Sequence, residues 1–417
     1  MSEGEGQALP GMADLCAPEI FLWQRIEDTA RDVLAQYGFT EVRTPLLERS
    51  SLFRRAIGET TDVVQKEMYV LHDRGGREMA LRPEGTAGVL RFVAAGGPER
   101  AEARLYYLGP MFRAERPQAG RRRQFHQIGV EAMGPPVPAA DAECLALQVH
   151  LLQAVGLDGF SLRLNTRGQP SDAPAIRAGI RAGLAGLVAT LCEDCRRRLE
   201  SSPMRILDCK RPECRAAAER LPPITSFMGE DSRRYFDEVR RLLDRLELPA
   251  QPDPRLIRGL DYYVHTIWEI THPALGAQDA VAGGGRYRLR MAGRDWEGVG
   301  FAVGLERLVL ALRALGAKPE ELADRPRVWL IAADLAQTED LLVLLQTLRR
   351  RGVASGMDFS GRSVKAQMRA ANRSGAGWAI LRGNAEAAKG VYLLKDMATG
   401  EQEEVVLADL LRRFTES

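Results

Sequence analysis

The chain contains no uninterrupted apolar run near the ~18 residues that a membrane-spanning helix requires. Its opening residues, MSEGEGQALPGMAD, lack the basic and apolar regions of a secretory signal. A cytoplasmic protein with no membrane partner is the expectation. Cysteine is scarce, six in 417 residues, which excludes a disulfide-built secreted scaffold and predicts reduced thiols. An excess of one charge sign is missing too, because 58 Lys and Arg against 56 Asp and Glu leave a net charge of +2. Any binding of nucleic acid must therefore come from a local basic patch. The absence of a fixed-period repeat and of low-complexity tracts excludes solenoids and linker arrays.

What is present reads as globular: 45% hydrophobic and 27% charged residues, in a chain long enough for two or three domains of roughly 150 residues. From Pro18 to Tyr37, Ile20, Leu22, Trp23, Ile26, Ala30, Val33 and Leu34 recur at helical spacing, and Gly38 stands where a C-terminal cap belongs. FTEVRTPLLE then alternates as a strand up to Pro45. Two more alternating runs, Arg104 to Arg113 and Gln124 to Met133, flank AERPQAGRRR, which predicts an antiparallel hairpin with a long basic loop. Residues 171–254 are Arg-rich and helical in character, without strand-like alternation, and read as an insertion. A strand pattern returns from Tyr262 to Thr271, the glycines at 283–285 break it, and Gly298 to Val303 leads into a helix from about Gly304 to Leu315. Beyond Arg327, VWLIAA, two helical stretches, WAIL and GVYLL alternate strand with helix as a separate α/β domain.

The basic loop gathers Arg113, Glu115, Arg116, Arg121, Arg122 and Arg123. Guanidinium groups at this density suit phosphate oxygens, so a nucleotide is one reading and a solvated hairpin tip the other. On the strand that follows, Phe125, Gln127, Gly129, Glu131 and Met133 share one face. A carboxylate and an amide on a buried sheet face need partners, either structural arginines or a ligand, and a cationic ligand would suit Glu131. Taken alone, Glu84, Gly85 and Thr86 in LRPEGTAG read as a turn, and Arg258, Asp261, Tyr262 and Tyr263 in RGLDYY as an ion pair beside core aromatics. Arg307, in the first turn after GVGFAVGLERL begins its helix, reaches a phosphate or caps a core.

Read in order, these strings resemble the histidyl-tRNA synthetase family of class II aminoacyl-tRNA synthetases along nearly the whole chain. The helix, strand and Pro45 look like motif 1, FRAERPQAGRRRQFHQIGVE like motif 2, and GVGFAVGLERL like motif 3; RGLDYY and AGGGRY resemble stretches particular to the histidine enzyme. The resemblance implies an α+β class II synthetase core, an antiparallel sheet flanked by helices, in residues 1–170 and 255–322. It also implies a helical insertion at 171–254 and a C-terminal α/β anticodon-binding domain at 323–417. It gives Arg113 the ATP α-phosphate, Arg307 the γ-phosphate end, and Arg258 the charge developing as the histidine carboxylate attacks. Glu84, Gly85, Thr86 and Gln127 would bind the amino and carboxylate groups of L-histidine, Glu131 and Tyr263 would read the imidazole, and Tyr262 and Tyr287 would line the pocket. Arg116, Gln118, Arg121 and Arg123 would meet ATP or the acceptor end of histidine tRNA. Arg362, Lys365, Arg369 and Arg373 would offer a basic helical face to the tRNA or simply to water. Mg²⁺ would accompany ATP, and motif 1 implies a homodimer. A non-catalytic paralogue that binds histidine or tRNA as a regulator or sensor is the alternative, and the regulatory subunits that bind histidine typically lack the terminal domain present here.

The chain departs from the family where GGGRY continues with Arg288, Leu289 and Arg290 instead of Asp, Gly and Leu, a charge reversal expected beside the site. Cys192, Cys195, Cys209 and Cys214 follow C-x2-C and C-x4-C spacing, near to but not the same as a zinc knuckle. Because the family's insertion is expected to fold without obligatory metal, reduced and partly buried thiols are favoured over Zn²⁺. Cys16 and Cys144 read as core residues.

Overall fold

Leu22, Trp23, Ile26, Ala30, Val33 and Leu34 lie buried along one face of α1 (Glu19–Gln36), and Gly38, at φ +73°, turns the chain out of it. The computed structural model describes residues 6–59, 61–97, 103–276, 278–322 and 326–415. After α1 come β1 (Thr40–Glu41), β2 (Leu47–Arg49), α2 (Ser50–Ile57), β3 (Val70–His72), β4 (Glu78–Leu81) and α3 (Thr86–Ala94). The hairpin β5 (Arg104–Phe112) and β6 (Gln124–Met133) leads to α4 (Pro138–Ala154) and β7 (Ser161–Thr166). A mostly helical stretch holds α5 (Ala173–Leu184), α6 (Glu193–Ser201), α7 (Pro212–Ala218) and α8 (Glu230–Arg245). Then β8 (Ala250–Pro252), β9 (Tyr263–Thr271), β10 (Ala280–Met291), β11 (Arg294–Gly304) and α9 (Leu305–Ala314) follow.

Eight strands form one sheet in the order β1-β5-β6-β11-β10-β9-β7-β8. It is antiparallel except at its margins, where β1 runs parallel to β5 and β8 to β7. On one face Ile128, Val130, Trp268, Ile270 and Phe301 pack with α1, α4, α8 and α9. On the other, Tyr107, Met133, Tyr263 and Tyr287 pack with α2 and α3. The two faces of β6 thus divide as its alternation predicts.

Four expectations change. The strand foreseen across FTEVRTPLLE shrinks to Thr40–Glu41, because the chain turns at Pro45 to pair β2 with β4 in a separate three-stranded sheet. Gly283 to Gly285 do not break a strand: they lie inside β10, paired to β9 and β11. The helical stretch is not uniformly a separate body, since Phe236, Val239 and Leu243 of α8 join the core under the main sheet. Its own small core runs from Ile176 to Met228 and includes Ile257. Cys144 is buried as expected, whereas Cys16 is exposed.

A second compact unit begins at Ala323. It contains β12 (Val328–Ala332), α10 (Thr338–Arg350), β13 (Ser355–Met357), α11 (Val364–Ser374), β14 (Trp378–Arg382), α12 (Asn384–Lys389), β15 (Val391–Asp396), β16 (Gln402–Val406) and α13 (Leu407–Thr415). Its sheet order is β13-β12-β14-β15-β16, parallel across the first three strands and antiparallel beyond. Among the described residues, no helix is long and apolar enough to cross a membrane.

Candidate active site

The period of two along β6 turns Gln127, Gly129 and Glu131 towards the start of α3. Gly129 and Gly85 have no room for a side chain: a Cβ would lie 2.0 Å and 2.2 Å, respectively, from Cζ of Tyr107, whose ring fills the space between them. Glu84 accepts the N–H groups of Thr86 at 2.7 Å and Ala87 at 2.9 Å, satisfying two donors that the start of α3 leaves open. The Thr86 hydroxyl donates to Oε1 of Glu131 at 2.7 Å. Burial holds the Glu84 carboxyl above its ordinary range. The same burial, reinforced by the charge of Glu84 and opposed by the Thr86 hydroxyl, pushes Glu131 up to about 8.

Oε1 of Gln127 is buried and finds no hydrogen-bond partner among the described residues, and Oε2 of Glu131 and the Tyr287 hydroxyl find none beyond the contact of those two side chains with each other. Buried polar atoms are rarely left so, which marks this corner as built to receive polar groups from a ligand. Room is kept by β11: a Cβ on Gly298 would lie 2.5 Å from the Tyr287 hydroxyl, and one on Gly300 2.7 Å from Oε2 of Glu131. Tyr262 stands 4.9 Å from Tyr263 and 6.1 Å from Tyr287, ring centre to ring centre, forming an aromatic wall.

Cations adjoin this corner. Nη1 of Arg258 pairs with Glu269 at 2.9 Å, and a Cβ on Gly283 would come within 2.6 Å of the same nitrogen. That contact explains the glycines inside β10: a bare strand lets the guanidinium lie on its surface. Arg113 donates to the Pro83 carbonyl at 2.9 Å and lies 5.3 Å from the centre of the Phe125 ring. In the loop between β5 and β6, Glu115 pairs with Arg121 at 3.2 Å and its carbonyl accepts from Arg123 at 3.2 Å. Arg116 and Gln118 are exposed, and Gln118 accepts a hydrogen bond from Gln278. Arg307 donates to the carbonyl of Gln278 at 2.9 Å and to its Oε1 at 3.1 Å. Burial first, then the charge of Arg121, lowers the pKa of Arg307. Two guanidiniums that repel one another are the setting an anion relieves.

The structure therefore joins Glu84, Gly85, Thr86, Gln127, Glu131, Tyr262, Tyr263 and Tyr287 around one buried corner, and sets Arg258 against Tyr263. Arg113, Arg121, Arg123 and Arg307 form a cationic rim through the basic loop and α9. Tyr107, Glu269 and Gln278 escaped the sequence reading. Glu269 left a signal, a carboxylate between Trp268 and Ile270, and the fold sets it opposite Gly283. Gln278 left none, and Tyr107 looked like any strand aromatic.

Arg288 corrects the expectation of a charge reversal beside the site. Its side chain projects to the face of β10 opposite that of Tyr287 and pairs with Asp295 at 2.7 Å and Glu297 at 3.7 Å. In the second unit, Lys365, Arg369 and Arg373 are exposed along α11, while Arg362 precedes the helix and is held by Asp358 at 2.9 Å. The four cysteines of the insertion also converge, with every Sγ within 4.8 Å of the others.

The family profile described as "Histidyl-tRNA synthetase" matches residues 11–169 and 183–308, and one described as "Anticodon binding domain" matches residues 328–417. Histidine-tRNA ligase of Synechococcus sp. is 45% identical over 97% of this chain and 98% of its own length. That of Anaeromyxobacter sp. strain K is 45% identical over 97% and 98%. The crystal structure of apo histidyl-tRNA synthetase from S. aureus superposes with a TM-score of 0.81 at 32% identity, covering 98% of this chain and 99% of that one. Likeness of this extent runs through both units and through every string that builds the buried corner, and the chain belongs to the histidyl-tRNA synthetase family.

Proposed function

We infer that this chain is a histidine-tRNA ligase of class II. A carboxylate oxygen of L-histidine attacks the α-phosphorus of ATP, and the bond from that phosphorus to the oxygen bridging to the β-phosphate breaks. Pyrophosphate leaves and histidyl-adenylate remains. A hydroxyl of the 3′-terminal adenosine of histidine tRNA then attacks the acyl carbonyl, and AMP leaves. Residues 1–170 and 255–322 would supply the catalytic core, 171–254 the insertion and 323–417 the anticodon-binding domain.

The observation that carries this reading is the corner itself, where Oε1 of Gln127 is buried without a hydrogen-bond partner among the described residues, Oε2 of Glu131 has none beyond Tyr287, and Tyr263 lies close to both Glu131 and Arg258. Glu131, with Tyr263, reads the imidazole in a pocket lined by Tyr287, since a carboxyl can exchange hydrogen bonds with ring nitrogens that apolar amino acids lack. Glu84, Thr86 and Gln127 hold the amino and carboxylate groups on Gly85 and the aromatic wall of Tyr262. Arg113 takes the α-phosphate, Arg307 the γ-phosphate, with Arg121 and Arg123 beside them, and Arg258 stabilises charge at the reacting centre. Catalysis here is positioning and electrostatics, with no covalent nucleophile from the protein. Mg²⁺ would accompany ATP and offset the negative charge of its phosphates. Arg116 and Gln118 face the acceptor end, and Arg362, Lys365 and Arg369 the anticodon side of the tRNA. A cytoplasmic homodimer completes the reading.

Histidine-dependent ATP–pyrophosphate exchange, run beside the other amino acids and without tRNA, tests it. Exchange with histidine alone, followed by charging of histidine tRNA, is the expected result. Folded protein that binds histidine without exchange would return the chain to the regulatory alternative.

A further inference from the structure

The insertion assembles four thiols that the proposed reaction does not use. Cys192 is the N-cap of α6 and Cys195 lies in its first turn. Cys209 follows the short turn Pro203–Ile206, and Cys214 lies in α7. Their Sγ atoms all lie within 4.8 Å of one another, with Cys192 and Cys209 at 4.0 Å, and none is engaged in a disulfide. A tetrahedral ion with metal–sulfur bonds of ~2.3 Å needs sulfurs about 3.8 Å apart. No pair of the four sulfurs is more than about 1 Å beyond that edge, and Cys192 and Cys209 stand close to it. The backbone N–H of Cys192 also donates to Sγ of Cys214 at 3.2 Å, a bond that supports negative charge on sulfur.

Packing alone does not account for this arrangement. The surrounding core is aliphatic, with Ile176, Ile180, Leu184, Leu199 and Ile206. Cysteines serving there only as small apolar residues gain nothing by aiming four sulfurs from three separate segments at one point. The segment is also short of core: from Ala173 to Phe227 it is built of brief helices and 3-10 turns. Bodies below roughly 70–80 residues commonly need a disulfide or a metal as a staple.

We propose that Cys192, Cys195, Cys209 and Cys214 hold a structural Zn²⁺ ion as four thiolates. The donor set is all sulfur, which selects zinc over the hard cations that accompany nucleotides. Four protein ligands close the coordination shell, so the ion is a staple and takes no part in the reaction. Binding replaces four S–H protons with one metal, which leaves a centre of net charge −2. Arg196, Arg197, Arg198, Lys210, Arg211 and Arg215 flank it in the sequence. The staple fixes the loop after α6, where Arg205 pairs with Asp261 of the RGLDYY stretch at 3.3 Å. It also fixes α6, where Arg198 pairs with Asp62 at 3.6 Å.

Elemental analysis of the purified full chain, grown with zinc and iron both available, should find about one zinc per chain and no iron. After metal removal under reducing conditions, Co²⁺ should produce sulfur-to-cobalt charge-transfer absorption and the visible bands of a tetrahedral site, and Zn²⁺ should abolish both. Cys209→Ser and Cys214→Ser should lose the metal, while Cys16→Ser keeps it. Wild-type metal content and the cobalt spectrum decide the matter even if those variants fail to fold. Iron in place of zinc, wild-type protein that takes up neither zinc nor cobalt, or a Cys192–Cys209 disulfide in the freshly isolated protein would each overturn the assignment.

Discussion

A carboxyl held at about 8, as that of Glu131 is, remains protonated at neutral pH until a ligand draws the proton away. Imidazole, with an ordinary pKa near ~6.5, is suited to share that proton across one hydrogen bond. Glu131→Gln keeps the size of the side chain but cannot ionise, so KM for histidine should rise by about tenfold or more in pyrophosphate exchange, with discrimination against other amino acids reduced. An unchanged KM and unchanged discrimination would remove Glu131 from the pocket. The same shift has a stability consequence. Between an unfolded pKa of ~4.3 and the folded value of about 8, the folded chain binds more protons at this group, so its contribution to stability falls as pH rises through that window. Without histidine, Glu131→Gln should therefore raise the thermal midpoint at pH 8 more than at pH 5. Arg258 differs in kind, because its assigned partner is charge that exists mainly in the transition state. Arg258→Ala should slow exchange by about 10²–10³-fold while leaving the Kd for histidine within a few-fold, and parallel losses would deny it that role.

Strand β10 shows how an element can serve a site without contributing a reacting group. Its three glycines look like a strand break, yet the ladder to β9 and β11 runs through them. A Cβ on Gly284 would meet the Gly300 carbonyl at 2.3 Å, and one on Gly285 the Thr266 carbonyl at 2.7 Å, so those two positions exclude side chains on backbone grounds. Gly283 is different, because the obstructing atoms belong to the end of a flexible arginine. Gly283→Ala should therefore fold with little change in thermal midpoint and still displace Arg258, reducing exchange well below wild type. Wild-type exchange from a folded Gly283→Ala protein would show that the flat seat of Arg258 is unnecessary. On the opposite face of the sheet, Asp141 of α4 and Arg286 of β10 form a buried pair at 2.6 Å, which pins the helix layer to the strand that carries the glycines.

The two compact units divide the labour assigned to the chain. Every residue of the buried corner and its cationic rim lies before Leu322, and the basic face of α11 lies after it. A chain ending at Leu322 should retain histidine-dependent exchange, whose substrates are assigned to the first unit, and should lose most charging of histidine tRNA. Loss of exchange in folded, truncated protein would make the second unit part of the amino acid site. Gln367 shows how α11 is kept in place: its side chain donates to the Ala332 carbonyl at 2.9 Å and accepts from the Ala332 N–H at 3.2 Å, latching the helix to β12.

Local periodicity was enough to order the elements, to pair Arg104 and its followers with the strand from Gln124, and to set Gln127 and Glu131 on one face, because alternation is a property of the backbone over a few residues. The motif strings carry the chemistry assigned to the site. Register across the sheet lay beyond such reasoning. Only the fold sets Gly300 opposite Glu131, lays Arg258 on Gly283 and supplies Glu269 and Gln278 as partners, since these contacts join residues distant in the chain. It also turned Arg288 to the far face of β10 and brought four cysteine sulfurs from three segments to one point. Contacts of this sort depend on how layers pack and which strands become neighbours, and neither is encoded in any short window of residues.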